Sequence, residues 1–214
     1  MAGVIVVGAG PGIGLAVARR FARSGFEPAV IARSAETVDA TVAALAADGF
    51  PAVGLTADVT DEPGVRGALD AAVRAVGVPE VLVYNAALIQ MDAPGELAAS
   101  DHLAAWAVNV VGAITVTTHL APRMSAAEHG TILLTGGMPK PVPEVTSLSL
   151  GKAGIRTLTD LLAGQFGPDG IHVATVTVSG AVSPGSFHDP DDIAEHFWRL
   201  HTQAPTEWER EVVH

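Results

Sequence analysis

Val4-Ile5-Val6-Val7-Gly8-Ala9-Gly10-Pro11-Gly12-Ile13-Gly14-Leu15 decides how the rest of the chain is read. An apolar run, a glycine-rich turn and an amphipathic segment from Leu15 to Ser24 follow one another directly. The run suits a strand buried on both faces, and the later segment has helical spacing. A strand that turns through glycines into a helix aims free N–H groups and a positive helix end at its ligand. A pyrophosphate fits that arrangement. Glycine serves where φ must be positive, or where a Cβ would hold the phosphate away. The spacing also discriminates. Ile13 occupies the last glycine position of G-x-G-x-x-G, whereas Gly8, Gly12 and Gly14 fit G-x-x-x-G-x-G. Gly8, Gly10, Pro11, Gly12, Ile13 and Gly14 are therefore candidate cofactor-binding residues. The competing reading is a tight strand-to-helix turn with no ligand.

A chain of 214 residues, 49% hydrophobic and 16% charged, suits one well-buried α/β domain spanning residues 1–214. The net charge of −11 argues against a nucleic-acid partner or an anionic membrane surface. No cysteine occurs, which excludes disulfides and fits a reducing compartment. The first strand starts too early for a signal peptide, and no apolar stretch approaches the roughly 18 residues of a membrane span. A cytoplasmic location is expected.

Strand and helix signals alternate along the chain. Strands are expected at Gly3–Val7, Pro28–Ala32, Ala52–Thr56, Val81–Tyr84, Thr131–Thr135 and His172–Val178. Helices are expected near 12–24, 35–48, 61–76, 101–127 and 148–166, with Thr60 as an N-cap. Gly25, Gly49, Gly77 and Gly167 stand where helices should stop. The pattern predicts a doubly wound parallel sheet of Rossmann type with helices on both faces. Asp191–Gln203 reads as a further helix and Glu207–Val213 as an edge strand. Gly136–Thr146, with prolines at 139, 141 and 143, and Ser179–Asp189 read as loops after strands, where open α/β sheets hold ligands.

The second strand ends Ile31-Ala32-Arg33-Ser34. Ala32 offers no carboxylate to a ribose 2′-hydroxyl, while Arg33 offers a bidentate cation to a 2′-phosphate. NADP is expected over NAD. A merely solvated Arg33 would leave NAD open. Further motifs follow in order: Asp58-Val59, Asn85-Ala86-Ala87, Asn109 within Val108-Asn109-Val110-Val111-Gly112, Lys152 within Gly151-Lys152-Ala153, and Ser179-Gly180. Together with the glycine turn they resemble the short-chain dehydrogenase/reductase family from Val4 to about Arg199. The resemblance implies that Asp58 and Val59 contact adenine. It implies that Asn85, Ala86 and Ala87 stand for Asn-Ala-Gly, with Ala87 replacing the glycine. It makes Asn109 a holder of active-site water and Lys152 the lysine of Tyr-x-x-x-Lys, bonding ribose hydroxyls. Ser179 and Gly180 stand for Pro-Gly beside the cofactor. Only Lys140 and Lys152 are lysines among twelve basic residues, which singles Lys152 out independently.

Departures from the family pattern are concentrated where its chemistry lies. Leu148 stands four residues before Lys152, in the place of the tyrosine that supplies the proton. The only tyrosine, Tyr84, is on a strand and cannot substitute by spacing. The family's serine falls within Thr135-Gly136-Gly137, so only Thr135 remains to steady a carbonyl. General acid–base help is worth about 10²–10⁴ in rate, and orientation contributes separately. A site without tyrosine would be slow rather than inert, with Ser149, His188 or Asp189 as other proton carriers. Lys152, Asn109 and Thr135 are thus the candidate catalytic residues.

The expected function is hydride transfer to or from a small carbonyl or alcohol, with an altered proton relay. The alternative is a non-catalytic NADP(H)-binding sensor or scaffold. Loops Leu88–Ala99, Gly136–Thr146 and Ser179–Asp189 would shape the substrate pocket. The resemblance implies a homodimer or homotetramer through the helices near 101–127 and 148–166. Trp198 and Trp208 read as core or subunit contacts. No metal site is expected: the eight histidines are scattered, with His196 and His201 off one helical face. No G-x-S-x-G turn points to a serine hydrolase.

Overall fold

Strand β1 (Gly3–Val7) is buried over its full length and pairs in parallel with β2 (Glu27–Ala32) and β4 (Pro79–Tyr84). Around it the computed structural model, which describes residues 2–214, builds a seven-stranded parallel sheet. Its order is β3-β2-β1-β4-β5-β6-β7, with β3 at Val53–Thr56, β5 at Gly130–Gly137, β6 at Ile171–Val178 and β7 at Glu211–Val213. Successive residues of β1 serve opposite faces. Val4 and Val6 pack with α1 (Ile13–Arg23), α2 (Ala35–Ala47) and α7 (Pro190–His201). Ile5 and Val7 pack with α3 (Glu62–Val76), α5 (Gly112–Ser125) and α6 (Thr146–Phe166). Both faces of the central strands are covered, so β1 is apolar and buried along its length rather than alternating, while the edge strands β3 and β7 keep exposed residues.

Several boundaries differ from the sequence expectation. The helix expected over 101–127 is α4 (Ala99–Trp106), a wide π turn (Ala107–Val111) and α5 in one continuous run. That run, Ala99–Ser125, has the length and composition of a membrane span, with a mean hydropathy of 1.4 over its most apolar window. The expectation that no stretch approaches such a length is corrected. Half of that window is buried inside the fold, where Ala113, Val116 and Leu120 pack on the sheet. Thr60 does not cap α3: its N–H and hydroxyl both donate to Asp58 Oδ1, and Asp61 takes the cap position. α6 stops at Gly167 as expected, though not with a left-handed residue. The chain continues into a 3-10 turn, and Gly170 takes the positive φ instead. β5 runs on through Gly136 and Gly137, beyond the expected Thr135, because both pair with β6. A Cβ on Gly136 would collide with the Thr177 hydroxyl.

The tail folds back as α7 and β7. Trp198 packs edge-on against Phe21 and Phe26 beneath the Arg20 guanidinium, and Trp208 stacks on His172. Both indoles pack within the molecule.

Candidate active site

The sheet order reverses between β1 and β4, and the chain leaves both strands in opposite directions at their carboxyl ends. Ligands bind in the crevice at such a point. Here Asn85 N–H donates to Val7 O (2.7 Å), and Asn85 Nδ2 donates to Gly8 O (2.8 Å), tying the two strand ends together. Gly8 has φ +89 and lies so close to Ala86 that no Cβ fits between them. A cleft of about 1050 Å³ opens above.

One end of the cleft is shaped for an anion. Helix α1 starts at Ile13 with no side-chain cap and no acidic residue in its first turn. Its first N–H groups and positive dipole end therefore face the cleft unneutralised. Gly12 has nothing within 4 Å of where a Cβ would stand, and Gly10 meets only a methyl of Thr37 at 4.0 Å. Packing does not demand glycine at either place; the open space lies on the cleft side and admits close approach of a phosphate. Arg33 lines the same end with Ser34 and Thr37. Ser34 caps α2 by accepting from Thr37 N–H (3.2 Å). Asp58 and Val59 close this end. The Asp58 carboxyl is held below the usual range by hydrogen bonds from Thr60, with Arg33 adding a smaller pull. A dinucleotide bearing a 2′-phosphate fits these groups.

The other end gathers β4, β5 and α6. Lys152 is buried and donates from Nζ to Thr135 O (2.6 Å); burial pushes its ammonium pKa down to about 8. Thr135 Oγ1 donates to Asn85 Oδ1 (2.9 Å), so its proton is directed away from any bound carbonyl. Leu148, one helical turn before Lys152, is buried against the cleft. Gly137 also faces Lys152. A Cβ there would rest 3.4 Å from Lys152 Cγ, an ordinary contact, so a serine would fit.

The cleft lining brings together Gly8, Gly10, Pro11, Gly12, Ile13, Gly14, Arg33, Asp58, Val59, Asn85, Ala86, Ala87, Thr135, Lys152 and Gly180. Asn109 and Ser179 lie outside it. Asn109 accepts from Leu88 N–H (2.7 Å) and donates to Leu88 O (3.1 Å), fixing the loop after β4. Its side-chain amide is engaged there. Ser179 is exposed and its hydroxyl bonds His188 Nε2 (3.0 Å). The alternative proton carriers are also committed. Ser149 accepts from Val142 N–H and donates to Val142 O. Asp189 accepts from Gly185 N–H and Asp191 N–H at the start of α7. Tyr84 donates to Val108 O (2.5 Å) inside the π turn, and burial raises its pKa well above the ordinary phenol value.

Sequence reasoning missed three supports. Asp92, fully buried, accepts from Ser147 N–H (2.9 Å) and the Ser147 hydroxyl (2.5 Å), capping α6 from a loop 55 positions away. With the Ser147 proton on Asp92, His102 Nδ1 donates to Ser147 Oγ (3.1 Å). Arg156 donates to Gly137 O (2.8 Å) and Met138 O (3.2 Å), holding Met138 at φ +49 beside the cleft. Ser34 and Thr37, which line the cleft, were not singled out from the sequence.

A sequence model described as "short chain dehydrogenase" matches residues 2–188. A probable galactose dehydrogenase of Rhizobium meliloti is 34% identical over 177 residues, covering 81% of this chain and 69% of its own length. A cis-4-hydroxycyclohexanecarboxylate dehydrogenase of Sinomonas cyclohexanicum is 34% identical over 192 residues, covering 87% and 73% respectively. A metagenomic short-chain oxidoreductase solved in complex with NADP superposes with a TM-score of 0.89 at 27% identity, covering 100% of this chain and 96% of the other. The matched model, these relatives and the crevice at the β1–β4 reversal agree, and the chain belongs to the short-chain dehydrogenase/reductase family.

Proposed function

We propose that this protein is an oxidoreductase that uses NADP(H), with NAD(H) as a weaker substitute, to move a hydride to or from a small carbonyl or alcohol. The observation that carries the reading is the single cleft running from the uncapped start of α1 to the buried Lys152. The dinucleotide would supply the hydride. Gly10, Gly12 and the start of α1 bind its diphosphate, Arg33 its 2′-phosphate, and Asp58 and Val59 border its adenine. Lys152 holds the ribose end. The proton relay is altered: Leu148 has none to give, and Thr135, Ser149 and Asp189 direct theirs or their acceptors elsewhere. The Lys152 ammonium, with entering water, is left as the proton source at this end. A helix face with exposed Leu103, Trp106, Val111 and Ile114, beside Leu150 and Leu161 of α6, is the surface through which two copies pair.

Fluorescence titration with NADPH and NADH, then NADPH oxidation with a panel of ketones and aldehydes, tests the reading. Submicromolar NADPH binding with slow turnover is expected. Binding without turnover across the panel establishes the second reading, a non-catalytic NADP(H)-binding protein, which Leu148 and Gly137 favour.

A further inference from the structure

The walls at the Lys152 end are almost wholly hydrocarbon. Ile89, Met138, Val145, Leu148, Val178 and Val182 line it. Lys152 is the one charged side chain there, and its ammonium is bonded to Thr135 O. The polar side chains lining this end, Asn85 and Thr135, bond one another and Gly8 O. The loops Leu88–Ala99 and Ser179–Asp189, which supply Ile89 and Val182, also carry Met91 and Phe187, each 75% exposed, and Ile89 is itself 72% exposed. Met138 adds a separate observation. Its φ of +49 is a backbone state that a bulky L residue rarely adopts. Arg156 holds that state through the Gly137 and Met138 carbonyls. Strain kept in place at a pocket wall signals a selected position for the side chain.

We propose that the substrate end of this cleft takes an uncharged carbonyl compound with a mainly hydrocarbon frame, held by Met138, Leu148, Ile89 and Val182, and rejects polyols and carboxylates. The assignment rests on the oxidoreductase reading for the carbonyl, and on the wall chemistry for the frame. A sugar entering here would lose water from hydroxyls that find few partners, and buried polar groups without partners are costly. A carboxylate would meet low-polarity walls, and the one ammonium there is shared between Thr135 O and, under the proposed function, the cofactor ribose. An apolar frame replaces water on surfaces that otherwise stay exposed, which is favourable in proportion to the area covered.

Calorimetry on the full chain, with and without saturating NADPH, compares 2-decalone, D-galactose and cyclohexanecarboxylate. Decalone is expected to bind at least about tenfold tighter than either polar probe, with a negative heat-capacity change. Met138→Asn keeps a residue type that tolerates the left-handed backbone, so the fold survives; decalone affinity should fall about tenfold, with the thermal midpoint and NADPH affinity retained. Equal or tighter binding of either polar probe, no decalone binding, or unchanged decalone affinity in Met138→Asn overturns the proposal. Selective decalone binding with no NADPH oxidation upholds the ligand class and removes the oxidoreductase reading instead.

Discussion

Under the proposed function, Leu148 and Gly137 stand where the family resemblance calls for the groups that give and steady a proton, and they offer only an isobutyl group and a hydrogen. The site around them is otherwise built, so restoring both groups should restore rate. Leu148→Tyr with Gly137→Ser is expected to raise carbonyl reduction by about 10²-fold or more, read as loss of NADPH absorbance. No gain in a folded, NADPH-binding variant would show that more than the acid is missing. Arg33→Ala should weaken NADPH about tenfold and leave NADH nearly unchanged, since one charged hydrogen-bonding pair is lost. Lys152 has a stability signature with a definite sign. Its pKa falls from 10.5 to about 8 on burial. Below pH 8 the folded state carries the full cost of burying the charge. Between 8 and 10.5 the unfolded chain binds more protons, so stability rises with pH, by about 3 kcal/mol in all. Lys152→Met removes that cost and one hydrogen bond worth about 1 kcal/mol. It should be more stable at pH 7 and less stable than the parent above pH 10.5, in urea unfolding at each pH. A constant difference across that range would refute the burial argument.

At the scale of elements, legibility depended on how local the cause is. The turn Gly8–Gly14 and the strands β1, β2 and β6 were legible because each is written in consecutive residues. The π turn was not: Val108, Val110 and Val111 show ordinary helical spacing, while the widening is accompanied by Tyr84 taking Val108 O from another element. Lys152, Asn85 and Thr135 were legible as positions, but not the bonds that turn the Thr135 hydroxyl toward Asn85. Asp92 was invisible because its partner Ser147 lies far along the chain. Its carboxylate fixes the start of α6, the helix that carries both Leu148 and Lys152. Asp92→Ala should cost about 2–3 kcal/mol in urea unfolding and Asp92→Asn less, because an acceptor remains for Ser147 N–H. An Asp92→Ala protein as stable as the parent would show that α6 starts without this cap.

Across the whole molecule the doubly wound sheet was legible from apolar strands alternating with amphipathic helices, since burial on both faces leaves no other pattern. The family resemblance pointed to the helices near 101–127 and 148–166 as the pairing surface, but which of their side chains face outward was not legible. The exposed side chains of α4, α5 and α6, Leu161 and Trp106 among them, lie on a surface no other element covers. Light scattering after gel filtration should give a dimer or tetramer, and Leu161→Asp should shift it toward monomer by about 2 kcal/mol or more per interface. A monomeric parent protein would remove that face as an interface. The chain's lone phenol has a use of its own. Because Tyr84 is sealed between β4 and the π turn, alkaline titration in the ultraviolet should show no phenolate until the sheet comes apart, making one chromophore a native, label-free reporter of global collapse.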